Sequence, residues 1–182
     1  MGNTFASEGG FCVGEEAVVD HQRLSGAGYC FSASLPPFLA RASIEAINKL
    51  DSNPALLQKL QKNVEIMRQS LTQGMDKRMR VDGTKFSPVF HIRFASGRDH
   101  RKAENPEAVR LENDKILQEV VEGALLQGVA VTRSKYSTHE KFMPESSIRI
   151  TVTSMHTEDQ IAKATSILKS VIASTLNDHR CK

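Results

Sequence analysis

Aromatic side chains are scarce in this 182-residue sequence: tryptophan is absent, and phenylalanine and tyrosine together make up 5% of the residues. Proteins that bind single-stranded nucleic acids stack the bases on aromatic side chains, and this composition supplies no such platform. The formal net charge is only +3, and the basic residues are scattered along the chain. The composition therefore does not indicate nucleic-acid binding.

Cysteine is also rare, and the three residues Cys12, Cys30 and Cys181 show no paired spacing. This usage argues against a disulfide scaffold and fits a reducing compartment. The six histidines are dispersed and make no metal-ligand spacing with the cysteines, so we expect no metal site. No apolar run approaches the roughly 18 residues of a membrane-spanning helix, and no signal peptide is recognisable. We expect any membrane association to come through a partner.

Three common functional signatures are missing as well. The sequence contains no P-loop, no dinucleotide-binding G-x-G-x-x-G and no G-x-S-x-G nucleophile motif. What is present is an ordinary globular composition, 40% apolar and 25% charged, in a chain long enough for a real core.

The sequence after Asp51-Ser52-Asn53-Pro54 predicts a small α+β domain. Apolar residues recur at helical spacing from Leu56 to Leu71 and from Ile116 to Leu125, and Thr157 is placed to cap a final helix. Short strands are predicted at Arg80–Val81, Val89–Phe94, Val129–Thr132 and Ser147–Thr153, and an exposed loop at Ala95–Pro106. We expect residues 54–182 to form helices on one face of a small sheet.

The first 53 residues predict elements that do not complete a domain. The pattern favours short strands at Gly9–Gly14 and Tyr29–Ser32 and helices at Glu15–Leu24 and Pro36–Leu50. Two short strands flanked by glycine would have unpaired edges on their own. We therefore interpret residues 1–53 as the end of a larger sheet domain with a connecting helix.

The composition of the segment Asp20–Pro37, DHQRLSGAGYCFSASLPP, changes three times in eighteen residues, from polar to glycine-rich, then to apolar, then to serines followed by prolines. Its last part places the hydroxyls of Ser32 and Ser34 just before Pro36-Pro37 and a long helical pattern. Ser34 is a plausible N-cap, because its side chain could accept a hydrogen bond from the first helical turn. Hydroxyls and free N–H groups at a helix start also suit a phosphate or carboxylate. Both interpretations remain open on the residues alone.

Two polar side chains stand in otherwise apolar strand patterns. Arg149 lies between Ile148 and Ile150, where it either points outward from a half-exposed strand or binds a carboxylate through its guanidinium. His91 alternates with apolar neighbours, and we expect a surface histidine or one with a satisfied hydrogen bond.

Three segments together resemble the C-terminal part of the α-oxoamine synthase family, a branch of the fold-type-I pyridoxal phosphate enzymes. They are GGFCVG at 9–14, DHQRLSGAGYCFSASLPP at 20–37 and SSIRITVTSMHTEDQI at 146–161. The resemblance extends over the whole chain in outline, but over only the last two-fifths or so of the family's length. It implies an α/β fold: the small C-terminal α+β domain (54–182), preceded by the last strands and a helix of the large cofactor-binding domain (1–53).

The resemblance also implies roles for individual residues. Active members carry a lysine six residues before the glycine pair, and that lysine forms the Schiff base with pyridoxal phosphate. Asn3 stands at this position, and an amide cannot form an imine. The family's hydroxyl run, which reaches a partner's cofactor phosphate, matches Ser32 and Ser34, with Ala33 where active relatives often carry threonine. The family's carboxylate-binding arginine matches Arg149.

The implied function is that of a non-catalytic subunit of a serine palmitoyltransferase, inactive alone because of Asn3. Such a complex condenses serine with a long-chain acyl-coenzyme A to 3-ketosphinganine in sphingolipid biosynthesis. The implied partner is the catalytic long-chain-base subunit, which holds the pyridoxal phosphate, at the cytosolic face of the endoplasmic reticulum membrane. We expect the chain to be a fragment, an isoform or a shortened gene product. A non-enzymatic regulatory module that binds the catalytic subunit and a different α-oxoamine synthase are the alternatives.

Overall fold

The computed structural model describes residues 1–95, 101, 103–137 and 139–179. The chain divides into two compact units, Met1–Leu56 and Leu57–Lys182, called unit 1 and unit 2 here. Part of the loop predicted at 95–106 (residues 96–100 and 102) and Cys181 lie outside the described residues.

Unit 2 contains a four-stranded antiparallel sheet in the order β1-β2-β4-β3. The strands are β1 (Met79–Asp82), β2 (Val89–Phe94), β3 (Thr132–Arg133) and β4 (Ile148–Thr151). The crossover places β4, the last strand in sequence, between β2 and β3. The predicted strands at 80–81, 89–94 and 147–153 are confirmed, whereas the third strand starts at Thr132 rather than at Val129.

Three long helices complete unit 2: α5 (Ala55–Thr72), α6 (Pro106–Leu126) and α7 (Glu158–Asp178). The start of α7 is fixed by the predicted cap, because the Gln160 N–H donates to Thr157 Oγ1 and the Thr157 N–H donates to Gln160 Oε1. This reciprocal capping box satisfies two donors that the first turn of a helix leaves unpaired.

One face of the sheet is buried against these helices. In β2 the side chains of Phe90, Ile92 and Phe94 are buried, and in β4 those of Ile148 and Ile150 are. They form a single apolar core with side chains of α5, α6 and α7. The alternate residues of both strands point to the opposite face, which stays partly or fully exposed, as the two-residue period of a strand requires.

Unit 1 consists of helices α1 (Gly2–Phe5), α2 (Glu16–Ser25), α3 (Ala27–Cys30) and α4 (Pro37–Ser52). The two predicted helices are confirmed as α2 and α4. The strands predicted at 9–14 and 29–32 are wrong: residues 9–14 are irregular, and Tyr29 and Cys30 donate their N–H groups to the Gly26 carbonyl at 2.9 Å in a helical turn. Within residues 1–56 no strand is present to pair with them, and a short unpaired strand is not stable.

The predicted capping role of Ser34 is also wrong. Helix α4 begins at Pro37, its N-cap residue is Pro36, and no side chain caps it. The proline at the first helical position confirms the expectation that a proline costs no hydrogen bond there. Because Pro36 occupies the cap, Ser34 lies two residues too early to receive a hydrogen bond from the first turn.

Unit 1 has almost no buried apolar side chain. Among the described residues, every buried hydrophobic side chain belongs to unit 2, and the buried residues of unit 1 are Ser7 and Ser43. Their hydroxyls both donate to the Leu39 carbonyl, at 3.1 and 3.0 Å. Large apolar side chains are instead exposed in unit 1, among them Phe31 at 89% and Phe38 at 70%.

Candidate functional site

The open face of the unit 2 sheet carries a row of polar side chains, one from each strand. The strand register pairs Asp82 with His91, His91 with Arg149, and Arg149 with Thr132. Directly opposed residues in antiparallel strands have Cβ atoms about 4.5–5.5 Å apart. The sheet therefore brings His91 and Arg149, which are 58 positions apart in sequence, next to each other on one surface.

A groove of about 700 Å³ begins at this face and continues past the β3 edge of the sheet to Gln118 and Val121 of α6. Its polar lining includes His91, Thr132, Ser134, Lys135, Tyr136 and Arg149. Arg133 also lines it, but the Arg133 guanidinium is 2.9 Å from Asp114 and its charge is compensated. Among the described residues no carboxylate pairs with Arg149 or Lys135. The groove therefore holds uncompensated positive charge and suits a small anion such as a carboxylate.

Arg149 itself points outward, as one of the two sequence interpretations expected. Its neighbours Ile148 and Ile150 enter the core, while the Arg149 side chain is exposed on the open face. An exposed guanidinium offers two parallel N–H donors to a carboxylate. The outward orientation and the binding interpretation are thus compatible, because the outward face is the groove.

His91 contacts one buried hydroxyl, which in turn contacts a second, half-buried hydroxyl. Its Nδ1 lies 3.0 Å from Ser147 Oγ, and Ser147 Oγ donates to Ser134 Oγ at 3.1 Å. Burial lowers the pKa of His91, and the positive charges of Arg93 and Arg149 lower it further, while Asp82 opposes the shift. The imidazole is therefore neutral at pH 7. The sequence pattern predicted a surface histidine or one with a satisfied hydrogen bond, and the half-buried His91 with its Ser147 contact agrees with this, whereas its pairing with Arg149 depends on strand register.

The serine positions of the segment 20–37 lie in unit 1. Ser32 and Ser34 are both exposed and precede helix α4. Neither hydroxyl has a hydrogen-bond partner among the described residues, so both are free to contact a ligand or another chain. Asn3 lies in helix α1, and its side chain is outside the described part of the structure.

Neither a metal-binding cluster nor a membrane-spanning helix is found in the described part of the chain. No group of histidine, cysteine, aspartate and glutamate side chains there is arranged to hold a metal ion. No helix there is both long and apolar enough to cross a bilayer.

The sequence comparison decides the family. Residues 1–168 match the sequence model of aminotransferase class I and II. The chain belongs to the aminotransferase class I and II family. Since this family match extends over most of the chain, the fold class predicted from the sequence is confirmed.

Within this family, the chain is similar to proteins of long-chain-base synthesis. It is 38% identical to serine palmitoyltransferase 1 of Dictyostelium discoideum over 98% of its own length and 36% of that protein. It is 34% identical to long chain base biosynthesis protein 1 of Arabidopsis thaliana, over 97% of this chain and 34% of the relative. The chain thus spans about a third of the length of these relatives.

Solved structures of the family share the fold at lower identity. A serine palmitoyltransferase variant from S. paucimobilis with a bound pyridoxal phosphate–myriocin aldimine superposes with a TM-score of 0.70, at 18% identity over 95% of this chain and 38% of that one. An 8-amino-7-oxononanoate synthase from Francisella tularensis gives 0.60, at 16% identity over 89% and 41%. At these identities the likeness establishes the fold alone.

Proposed function

We propose that this chain acts as the non-catalytic subunit of a serine palmitoyltransferase, supporting the condensation of serine with a long-chain acyl-coenzyme A to 3-ketosphinganine. The likeness to serine palmitoyltransferase 1 and long chain base biosynthesis protein 1 supports this assignment. The chain spans a third of those relatives, so activity, substrates and partner belong to the proposal.

One observation carries the non-catalytic part of the proposal: the chain has no amine where a Schiff base would form. Asn3 stands at the position of the family's lysine, and the first lysine of the sequence is Lys49, exposed near the end of α4. Ser32 and Ser34 are exposed, and no described basic side chain contacts them. These residues do not fit a complete pyridoxal phosphate site, so we assign the cofactor to the partner subunit.

The remaining side chains would then each contribute a contact from their own unit. Ser32 and Ser34 would donate hydrogen bonds to the phosphate of the partner's cofactor, as their free hydroxyls allow. Arg149 would bind the carboxylate of the amino acid substrate in the groove of unit 2.

The partner in this proposal is the catalytic long-chain-base subunit. Unit 1 supplies a surface for it, because Phe31, Phe38 and other apolar side chains of unit 1 are exposed and patches of this kind mark protein interfaces. Through this partner the chain would reside at the cytosolic face of the endoplasmic reticulum membrane.

A serine-to-alanine series in the complex tests the phosphate contact. The chain is co-expressed with the catalytic subunit, and formation of 3-ketosphinganine is measured against the concentration of pyridoxal phosphate. Loss of a hydrogen bond to a charged group corresponds to about ten-fold weaker binding. Ser32→Ala and Ser34→Ala should each raise the half-saturating cofactor concentration by about that factor.

The exposed Ser52 at the end of α4 provides the matched control. Ser52→Ala should leave the half-saturating cofactor concentration unchanged. If the Ser32 and Ser34 variants behave like this control, the phosphate contact is refuted.

A further inference from the structure

We propose that His91 determines the ligand specificity of the Arg149 groove: its Nε2 accepts a hydrogen bond from a hydroxyl or ammonium group of the ligand whose carboxylate Arg149 binds. This inference rests on the proposed function, in which Arg149 receives a carboxylate. It adds His91 of β2 to the carboxylate site of Arg149 on β4, as a residue that positions and selects the ligand.

The contacts of His91 favour one tautomer. Ser147 is fully buried, and its hydroxyl is directed at Ser134 Oγ, 3.1 Å away. We infer that this hydroxyl donates to Ser134, so that Ser147 Oγ accepts from His91 Nδ1. In this arrangement Nδ1 carries the imidazole proton, which leaves a lone pair on Nε2. Among the described residues Nε2 has no partner.

The Nε2 lone pair belongs to a side chain that lines the groove next to Arg149, where it can contact a bound ligand. His91 lines the groove and is the cross-strand neighbour of Arg149. A small ligand whose carboxylate contacts the Arg149 guanidinium extends along the groove past the imidazole ring. An unpaired acceptor there favours ligands with a donor next to the carboxylate, because that donor can form a hydrogen bond with Nε2. The ligand class is an α-amino or α-hydroxy carboxylate.

The charges around His91 keep this acceptor available. Asp82 faces it from β1, Arg93 lies on its own strand, Arg149 faces it from β4, and Lys135 lines the groove beyond β3. Three of these four groups are positive, and the partly buried ring adds a desolvation cost for its protonated form. Both effects favour the neutral imidazole at pH 7.

A pair of matched small ligands tests the proposal. L-Lactate and propionate have the same carboxylate and chain length, and only lactate has an α-hydroxyl donor. Both are titrated at pH 7.5 into the ¹⁵N-labelled full chain, with the imidazole nitrogens of His91 followed by NMR. We expect lactate to bind about five-fold more tightly, and the Nε2 resonance to report a new hydrogen bond with lactate only.

Variants separate the two binding groups. His91→Gln keeps a side-chain acceptor and should retain the preference for lactate, whereas His91→Phe should bind both ligands equally. If His91→Phe does not fold, the Nε2 resonance of the unmodified chain still shows whether Nε2 accepts a hydrogen bond from lactate. Equal affinities in the unmodified chain, or a proton found on Nε2 rather than Nδ1, would overturn the role of His91.

The same titration distinguishes failure of this inference from failure of the proposed function. Equal affinities that are both lost in Arg149→Gln overturn only the role of His91. Absence of any Arg149-dependent binding overturns the inference and also removes the carboxylate site from the proposed function. The activity of the complex with the Ser32 and Ser34 variants tests the proposed function separately from this ligand titration.

Acidification supplies a further readout. Once His91 is protonated, Nε2 donates and no longer accepts. The hydrogen bond that Nε2 accepts from lactate should then be lost, as the Nε2 resonance reports, while the affinity for both carboxylates rises because the groove gains a positive charge. His91→Gln should show no rise in affinity, and an Nε2 resonance that does not change with pH in the presence of lactate would contradict the proposal.

Discussion

At the scale of single residues, Arg149 differs from three other charged side chains on the open face of the sheet, because Arg80, Asp82 and Arg93 form ion pairs there. Arg149 has no described acidic partner, and His91 stays neutral between Arg149 and Arg93. By contrast, Arg80 of the same sheet lies 2.6 Å from Glu145 and 3.1 Å from Asp82. The difference leaves the Arg149 guanidinium available for the carboxylate contact proposed above.

The lowered pKa of His91 predicts a pH dependence of stability. The unfolded state protonates this histidine near its ordinary value of 6.5, while the folded state does so only at lower pH. Stability is therefore complete above about pH 6.5 and falls as pH decreases through that value, until the folded-state pKa is also passed. His91→Gln should lose less stability between pH 7.5 and 5.

Urea unfolding of both proteins at the two pH values measures this difference. The other histidines are common to both chains, so their contributions cancel in the comparison. Identical losses of stability on acidification would show that His91 is not shifted in the folded state.

At the scale of elements, the spacing of apolar residues was sufficient to predict a helix or strand where that element packs against other parts of this chain. Alternation predicted β2 and β4, and helical spacing predicted α5, α6 and α7, because these patterns match buried faces. The third strand lies at Thr132–Arg133 rather than at Val129–Thr132. The strands predicted at 9–14 and 29–32 are wrong, because the described structure of unit 1 contains no neighbouring strand with which they could pair. Strand register, which joins His91 to Arg149, depends on pairings 58 residues apart that no local pattern encodes.

The packing of α6 on α7 predicts the effect of one methyl group. A Cβ at Gly123 of α6 would lie 2.8 Å from Val171 Cγ1 of α7, closer than packed carbon atoms tolerate. Alanine gains up to about 1 kcal/mol in helix propensity over glycine, but overpacking costs about 1–3 kcal/mol. Gly123→Ala should therefore lower the free energy of unfolding by about 1 kcal/mol.

The double variant Gly123→Ala/Val171→Ala serves as the control, because removing the Val171 methyls relieves the contact. Its free energy of unfolding should be higher than the sum of the two single effects predicts. A Gly123→Ala chain more stable than the parent would contradict the close approach of the two helices.

At the scale of the whole molecule, the two units differ in how they are stabilised. Unit 2 has the apolar core, and unit 1 exposes its large apolar side chains. Opening free energy follows buried contacts and protected hydrogen bonds. The backbone amides of unit 2 should thus exchange hydrogen slowly, and those of residues 1–35 rapidly, in the isolated chain.

Hydrogen exchange with mass-spectrometric readout measures both units in one experiment. Binding of the catalytic subunit should slow exchange in residues 1–35, because the exposed apolar surface of unit 1 becomes covered. Strong protection throughout residues 1–35 without any partner would contradict this division of stability.

In the proposed function, this chain contributes to a partner's active site and performs no covalent chemistry of its own. The most direct measurement is incorporation of labelled serine into 3-ketosphinganine by this chain alone, by the catalytic subunit alone and by both after co-purification. We predict product only from the co-purified pair. Product from the chain alone, or equal product from the catalytic subunit without it, would contradict the account.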